Sequence, residues 1–218
     1  MTMDYNYAFS LWEKVSAQQT DEGKMKYILA SGSPRRRELL GSLGIDFEII
    51  PAEGEEVITS EIPSEVVTSL SEQKAKEIFH KVLRDNKDTL VVIGSDTVVS
   101  YKEKILGKPK DRDDAGRMIE DLQGKTHQVY TGVTVIFGNG SLEEAFSFYE
   151  CTNVNVYPMD EKEISDYLDT DEPYDKAGAY GIQGLFGKYV RGIEGDYNNV
   201  VGLPLSRLYQ ELKVRKLI

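Results

Sequence analysis

The apolar run over residues 90–99 constrains the fold of this chain more than any other segment. Aliphatic and β-branched residues make up most of it, which is typical of a central strand that is buried on both faces. Strand-like and helix-like segments alternate around it, and residues 104–106, 129–137 and 145–157 have the pattern of strands joined by hairpins. The pattern therefore predicts an α/β fold whose sheet is mixed and not wholly parallel.

Capping residues mark where the helices begin. Ser33 is a good N-cap and Pro34 a good first helical residue, and apolar residues at helical spacing predict a second helix over residues 63–83. Residues 178–195 are rich in glycine and are expected to form loop and hairpin. Further helices are predicted at three places: after Asp111, after Asp160 with Glu163 as a capping box, and over residues 204–217.

Residues 1–24 differ in composition from the rest of the chain, because they are polar with scattered aromatic residues. We interpret them as an N-terminal appendage and residues 25–218 as one domain. A chain of 218 residues fits one compact domain or two small lobes around a cleft. The N-terminal segment lacks the basic start and the continuous apolar core of a secretory signal.

The net charge of −11 argues against a protein that coats nucleic acid or binds a membrane surface. An anionic substrate is compatible with this charge if the site supplies a local basic cluster, a metal ion or both. No apolar run approaches the roughly 18 residues of a membrane span. Cys151 is the one cysteine, which excludes an internal disulfide and makes the cytoplasm the default compartment. We expect Cys151 to pack within a strand and not to act as a nucleophile.

Arg36 lies on the same face of the first predicted helix as its apolar residues. Arg35 and Arg37 flank it, and cations at a helix N-terminus oppose the macrodipole unless an anion is bound there. Free backbone N–H groups and the hydroxyl groups of Ser31 and Ser33 would complete a phosphate site. A solvated basic turn is the alternative interpretation.

Lys74 and Asp96 also occupy positions where apolar residues are expected. Lys74 lies on the apolar stripe of the second helix, where it either extends its ammonium to the surface or points into a cleft. Asp96 interrupts the buried central strand, and a carboxylate there is costly unless it is paired, hydrogen-bonded or bound to a metal. One glutamate of an acidic loop, Glu53, Glu55 or Glu56, could form with Asp96 a pair of oxygen ligands suited to magnesium or manganese. For any single glutamate of this loop, an acidic turn in solvent is the simpler interpretation.

Several separated motifs occur in one order along the chain, while GxxxxGK[ST] and GxSxG motifs are absent. In this order they resemble the signatures of the Maf family of nucleotide pyrophosphatases, and the resemblance extends over about residues 26–212. It implies an elongated α/β structure with two lobes around a central cleft, similar to inosine triphosphate pyrophosphatases. The motifs are SGSPRR at 31–36, GSDTVV at 94–99, GKP at 107–109, DKAGAYGIQG at 175–184 and NVVGLP at 199–204.

The resemblance also implies roles for individual residues. Asp96 matches the general base, and Glu56 matches an acidic residue on a facing loop that helps to hold a divalent cation, magnesium or manganese. Lys108 joins Lys74 as a cationic contact to the substrate. The remaining phosphate and substrate contacts of the family match Ser31, Arg35 and Arg36.

The AGAYGIQG stretch resembles the branch of the family that prefers dTTP and UTP, with Arg35, Thr97 and Gln183 at specificity positions. Ser95 departs from the alanine of many members. Homodimers are common in the family, and the substrate is a free nucleotide. Two alternatives stay open: a nucleotide-binding regulator of septum formation with little turnover, and a pyrophosphatase for purine or modified nucleotides.

Overall fold

The computed structural model describes residues 25–83, 88–139 and 142–218. The predicted appendage of residues 1–24 lies outside the described residues. Within the described part of the chain, no helix is long and apolar enough to cross a membrane.

The described strands form one sheet in the order β2-β1-β3-β5-β6-β7, with β4 paired to the far end of β3. β1 is parallel to β2 and β3, whereas the other neighbouring pairs are antiparallel. The prediction of a mixed sheet is therefore confirmed. The strands are β1 Met25–Leu29, β2 Phe47–Ile49, β3 Thr89–Tyr101, β4 Lys104–Leu106, β5 Thr126–Gly138, β6 Glu143–Val156 and β7 Val190–Glu194.

The helices begin where the capping residues predict them. The side chain of Ser33 accepts from the Arg36 N–H, Asp111 caps its helix in the same way, and the capping box of Asp160 and Glu163 is present. A short helix after Asp196 was not expected from the sequence. The helices are α1 Pro34–Gly41, α2 Pro63–Leu83, α3 Arg112–Leu122, α4 Glu161–Leu168, α5 Tyr197–Val201 and α6 Leu205–Val214.

Two expectations need correction. The glycine-rich segment contains, besides loop, short 3-10 turns at Ala177–Ala179 and Leu185–Tyr189 and the edge strand β7. Cys151 lies in β6 as expected, but it is exposed, so its predicted packing role is wrong. Alternation of residues along a strand does not reveal which face the rest of the fold covers.

The three long strands β3, β5 and β6 contain 13, 13 and 14 residues, which corresponds to lengths of about 45 Å. At one end, α2 packs on one face of the sheet through Ala75 and Ile78, and α1 and α6 pack on the other through Leu40 and Leu208. At the far end, α3 and α4 form a separate apolar cluster with the strands. The expected pair of lobes thus corresponds to two ends of the same long strands.

Two glycines let α2 approach the sheet closely. A Cβ atom on Gly94 would lie 2.2 Å from the Ser71 carbonyl oxygen, and one on Gly132 would lie 2.3 Å from the Val67 carbonyl oxygen. Gly132 is also the partner of Asp96 across the β3–β5 ladder. The close approach of α2 therefore occurs at the strand position that carries the unusual aspartate.

We predict that Gly132→Ala lowers the free energy of unfolding, because the added methyl group overlaps the α2 backbone. Overpacking of this kind costs about 1–3 kcal/mol. Urea denaturation measures the change, with Gly192→Ala as the matched control, since a Cβ there would meet nothing within 4 Å. Equal stabilities of the two variants would contradict the described contact between α2 and β5.

Candidate active site

A cleft of about 1440 Å³ lies between the two ends of the long strands. This volume is ample for a nucleotide, since ligand pockets in proteins typically measure about 300–1,000 Å³. All the site residues that the sequence predicts line it: Ser31, Ser33, Arg35, Arg36, Glu56, Lys74, Asp96, Thr97, Lys108 and Gln183. The structure therefore brings together residues that lie as far apart in the sequence as Ser31 and Gln183.

The loop between β1 and α1 forms one wall of the cleft. Arg36 is fixed there by three contacts: its Nε donates to the Gly202 carbonyl at 2.8 Å, its Nη2 to the Thr97 Oγ1 at 2.9 Å and its Nη1 to the Ser31 Oγ at 3.3 Å. Burial lowers the pKa of the Arg36 guanidinium, and the nearby Asp96 carboxylate partly offsets that effect. Because arginine titrates so far above neutral pH, the side chain stays charged. Arg36 is thus a cation that hydrogen bonds fix in place at a helix N-terminus. It is not part of a solvated basic turn, which was the alternative interpretation.

Lys74 points into the cleft, which decides between its two sequence interpretations. Its Nζ lies 2.5 Å from the Asp96 Oδ1 and 2.8 Å from the Glu56 Oε1. The side chains of Lys74 and Asp96 are only 17% and 13% exposed, so water screens this pair weakly. Removing one member of such a pair would leave the other as an uncompensated buried charge.

The carboxylates of Asp96 and Glu56 lie near each other, because both contact the Lys74 ammonium. Magnesium is commonly bound by one or two carboxylates, with substrate phosphate oxygens and water completing its shell. Over the described residues there is no group of three or more His, Cys, Asp or Glu side chains that could hold a metal alone. The residues present therefore fit a divalent cation that is shared with a phosphorylated ligand.

A chain of hydroxyl groups continues from Arg36 into the core. Thr131 Oγ1 donates to the Asn199 carbonyl at 2.8 Å and lies 3.0 Å from the Thr97 Oγ1. A hydroxyl has one hydrogen, so Thr131 must accept from Thr97, and Thr97 in turn accepts from Arg36. Thr97 thus orients Arg36 and has no second hydrogen to offer a ligand. Thr131 does not stand out in its strand, because threonine is an ordinary strand residue.

The far lobe contributes Lys108 and Gln183, both exposed at the cleft. Their loops are joined by a hydrogen bond from the Gly178 N–H to the Gly107 carbonyl at 3.0 Å. Tyr180 also lines the cleft, and its hydroxyl is 2.7 Å from the His127 Nε2. Glu172 lines the cleft as well. Neither Tyr180 nor Glu172 was predicted as a site residue from the sequence.

His127 is buried behind this part of the cleft wall and hydrogen-bonds to Tyr180. It is 1% exposed, and its Nδ1 has no hydrogen-bond partner among the residues that the structure describes. Burial lowers the pKa of His127 from 6.5 to about 4. The imidazole is therefore neutral at physiological pH, and it holds Tyr180 by a hydrogen bond without a charge.

Residues 26–215 match the family model described as Maf-like protein. The chain is 53% identical over 195 residues to the dTTP/UTP pyrophosphatase of Agathobacter rectalis, an alignment that covers 85% of this chain and 95% of that protein. It is 49% identical over 187 residues to the dTTP/UTP pyrophosphatase of Lachnoclostridium phytofermentans, covering 85% of this chain and 93% of that protein. A Bacillus cereus dTTP/UTP pyrophosphatase is 49% identical over 189 residues, with coverages of 86% and 94%.

Two solved structures are also similar to this chain. The Staphylococcus aureus Ham1 protein aligns with a TM-score of 0.40 and 13% identity, over 86% of this chain and 100% of that one. A nucleoside-triphosphatase described as a dITP/XTP pyrophosphatase, from Mycobacterium abscessus, aligns with a TM-score of 0.35 and 12% identity, over 88% and 94%.

We predict that His127 makes folding stability depend on pH in the acid range. Between pH 6.5 and about 4 the unfolded chain binds more protons at this residue than the folded chain does. The free energy of unfolding therefore falls as the pH is lowered through this window, by about 3 kcal/mol at most, and the stability is fully retained above it. Urea denaturation at several pH values measures the slope.

His127→Gln is the comparison, because glutamine retains a partner for Tyr180 but does not titrate. Its unfolding free energy should fall less steeply between pH 6.5 and 4.5. Parallel slopes for wild type and variant would mean that another group causes the acid sensitivity.

Proposed function

The chain belongs to the Maf-like protein family, and from this membership and its cleft we propose that it is a nucleoside triphosphate pyrophosphatase. Its substrates are dTTP and UTP, and its products are the nucleoside monophosphate and pyrophosphate. The observation that carries the proposal is a buried aspartate, Asp96, in the same cleft as the fixed cation Arg36 and the helix N-terminus of α1. The names of the relatives, dTTP/UTP pyrophosphatases, support the substrate class.

The triphosphate binds between the two lobes. Backbone N–H groups at the start of α1 and the hydroxyl groups of Ser31 and Ser33 bind phosphate oxygens. Arg35 and Arg36 add guanidinium contacts from the same wall, and Lys108 approaches from the opposite one. The net charge of −11 then presents no obstacle, because cations are concentrated in the cleft.

Asp96 accepts a proton from the water that attacks the α-phosphorus. The bond from this phosphorus to the oxygen bridging to the β-phosphorus breaks, and pyrophosphate leaves with the electron pair. Lys74 contacts the Asp96 Oδ1 and so fixes the carboxylate for this proton transfer. Arg35, Arg36 and Lys108 stabilise the negative charge that develops on the leaving pyrophosphate.

Asp96 and Glu56 would also hold the divalent cation, magnesium or manganese. Both carboxylates contact the Lys74 ammonium, and this nearness of the two carboxylates supports the assignment. When bound, the cation neutralises charge on the phosphate oxygens of the substrate.

Gln183 recognises the base of the nucleotide by hydrogen bonds. Its amide can donate to a keto oxygen and accept from a ring N–H, which matches the edge of uracil or thymine. Cytosine reverses part of this pattern, and the mismatch costs about one to two powers of ten in kcat/KM. Thr97 and Arg35 complete the specificity positions, with Thr97 acting through Arg36.

The enzyme acts in the cytoplasm on free nucleotides and needs neither nucleic acid nor a membrane. Homodimers are common in the family, and we propose the same assembly for this chain. Residues 1–24 are an appendage outside the catalytic domain, since the family match begins at residue 26.

We predict that Asp96→Asn lowers kcat for UTP by about two to four powers of ten, the usual contribution of an acid–base group. Wild type should release UMP and pyrophosphate as first products in the presence of magnesium or manganese. Chromatography of the nucleotide products with a pyrophosphate assay measures both expectations.

Asp166→Asn is the matched control, because it also removes an aspartate–lysine pair, with Lys162, but on the exposed face of α4. It should turn over UTP normally. Full activity in a folded Asp96→Asn protein would remove Asp96 from the reaction, and UDP as the first product would overturn the pyrophosphatase assignment.

A further inference from the structure

The carboxylate of Glu172 accepts hydrogen bonds from two backbone N–H groups. Its Oε2 accepts from the Leu185 N–H at 2.6 Å, and its Oε1 accepts from the Phe186 N–H at 3.3 Å. The Tyr167 hydroxyl lies 3.2 Å from both the Glu172 Oε1 and the Ala179 carbonyl oxygen, so its one hydrogen is shared between them. Leu185 and Phe186 are the first residues of the 3-10 turn that follows Gln183. A charged acceptor at the start of a turn satisfies backbone N–H groups that would otherwise lack a partner.

Two glycines bring the segment around Gln183 against this carboxylate. A Cβ atom on Gly184 would lie 2.2 Å from the Glu172 Oε2, and one on Gly181 would lie 2.9 Å from the Lys176 Cε. The Lys176 Nζ donates to the Glu172 carbonyl at 2.7 Å. The backbone on both sides of Gln183 therefore lies against side chains of the 172–176 segment, and a side chain at either glycine would force these contacts to change.

The same segment is anchored to the core at one further point. Phe186 is fully buried and packs on the rings of Tyr167 and Tyr180, with centroids 5.3 and 4.8 Å away. Phe186 fixes the end of the segment, but it does not fix the direction in which the backbone leaves the core. The Glu172 carboxylate sets that direction, because it binds the two N–H groups next to the turn that carries Gln183.

We infer that Glu172 is a positioning residue for base recognition, which acts through Gln183 and not on the reacting phosphates. The inference rests on the proposed function, in which Gln183 reads the uracil or thymine edge. A discriminating hydrogen bond requires the Gln183 amide to be held within about 0.5 Å of the productive position. Glu172 supplies this placement from 11 positions earlier in the chain.

Glu172→Gln tests the inference with little change in size. In either orientation, the amide nitrogen faces at least one of the N–H groups of Leu185 and Phe186, so one backbone donor loses its partner. We expect the preference for UTP over CTP, as a ratio of kcat/KM values, to fall by about five- to tenfold, the equivalent of one hydrogen bond. The kcat for UTP at saturation should change less than about twofold, since the groups that act on the phosphates stay in place.

A double-mutant cycle with Gln183→Ala separates positioning from a general structural effect. If Glu172 acts through Gln183, the double variant Glu172→Gln with Gln183→Ala should show the same UTP/CTP ratio as Gln183→Ala alone. Independent losses that multiply in the double variant would overturn the inference. An equal fall of kcat for both nucleotides in Glu172→Gln would also overturn it.

Gly184→Ala provides a second test that leaves the carboxylate intact. Its methyl group would force the segment and the Glu172 carboxylate apart, whichever of them moves, so it should lower the UTP/CTP ratio in the same way, and again only when Gln183 is present. This variant decides the question if Glu172→Gln does not fold, and an unchanged ratio would count against the inference. Glu163→Gln is the matched control: Glu163 also accepts from a backbone N–H, that of Asp160 at 3.0 Å, at the exposed start of α4.

The wild-type measurements distinguish failure of this inference from failure of the proposed function. A wild-type protein that releases no pyrophosphate from UTP or dTTP would overturn the proposed function itself, and equal use of UTP and CTP would overturn both proposals. An intact wild-type preference that survives unchanged in Glu172→Gln would overturn only the role of Glu172.

Discussion

The ion pair between Lys74 and Asp96 is the interaction on which the arrangement of the cleft depends. Its charged atoms lie 2.5 Å apart, in side chains that are largely withdrawn from water. Desolvation makes such a pair a poor source of stability, and a pair of apolar residues would commonly be as stable. The fold nevertheless meets a steric condition near this pair, because the α2 backbone comes so close to the sheet that Gly94 and Gly132 have no room for a side chain. A buried charge at the opening of a cleft is therefore better explained by a role in the proposed reaction than by a contribution to folding stability.

Both faces of strand β3 contribute side chains to the cleft. Consecutive residues of a strand point to opposite sides, so Asp96 meets Lys74 of α2 while Thr97 meets Arg36 of α1. The first contact fixes a carboxylate and the second fixes a guanidinium. Through Thr131 the second contact continues to the backbone of α5, so the position of the cation depends on the core of the sheet. Two adjacent residues thus set the relative positions of the group that accepts a proton and the group that binds phosphate in the proposed reaction.

Charged residues on otherwise apolar stripes were the most informative feature of the sequence for predicting the cleft. Asp96 and Lys74 could be selected because a buried charge violates the pattern of its own strand or helix, and capping residues located the helix starts for a similarly local reason. Thr131 and Glu172 could not be selected, because a threonine in a strand and a glutamate before a proline violate no local pattern. Their importance arises from partners 34 to 68 residues away for Thr131 and 13 or 14 residues away for Glu172. The exposure of Cys151 was missed for a related reason, since it depends on which sheet face the helices leave open.

The proposed reaction requires water to attack the α-phosphorus beside Asp96, and hydrolysis of UTP in water enriched in oxygen-18 tests this requirement directly. Attack at the α-phosphorus adds the labelled oxygen to UMP and leaves pyrophosphate unlabelled, whereas attack at the β-phosphorus labels pyrophosphate. Mass spectrometry of both products after one turnover should find one labelled oxygen in UMP and none in pyrophosphate. Label in pyrophosphate, or in orthophosphate formed together with UDP, would contradict the proposed placement of the substrate against Asp96.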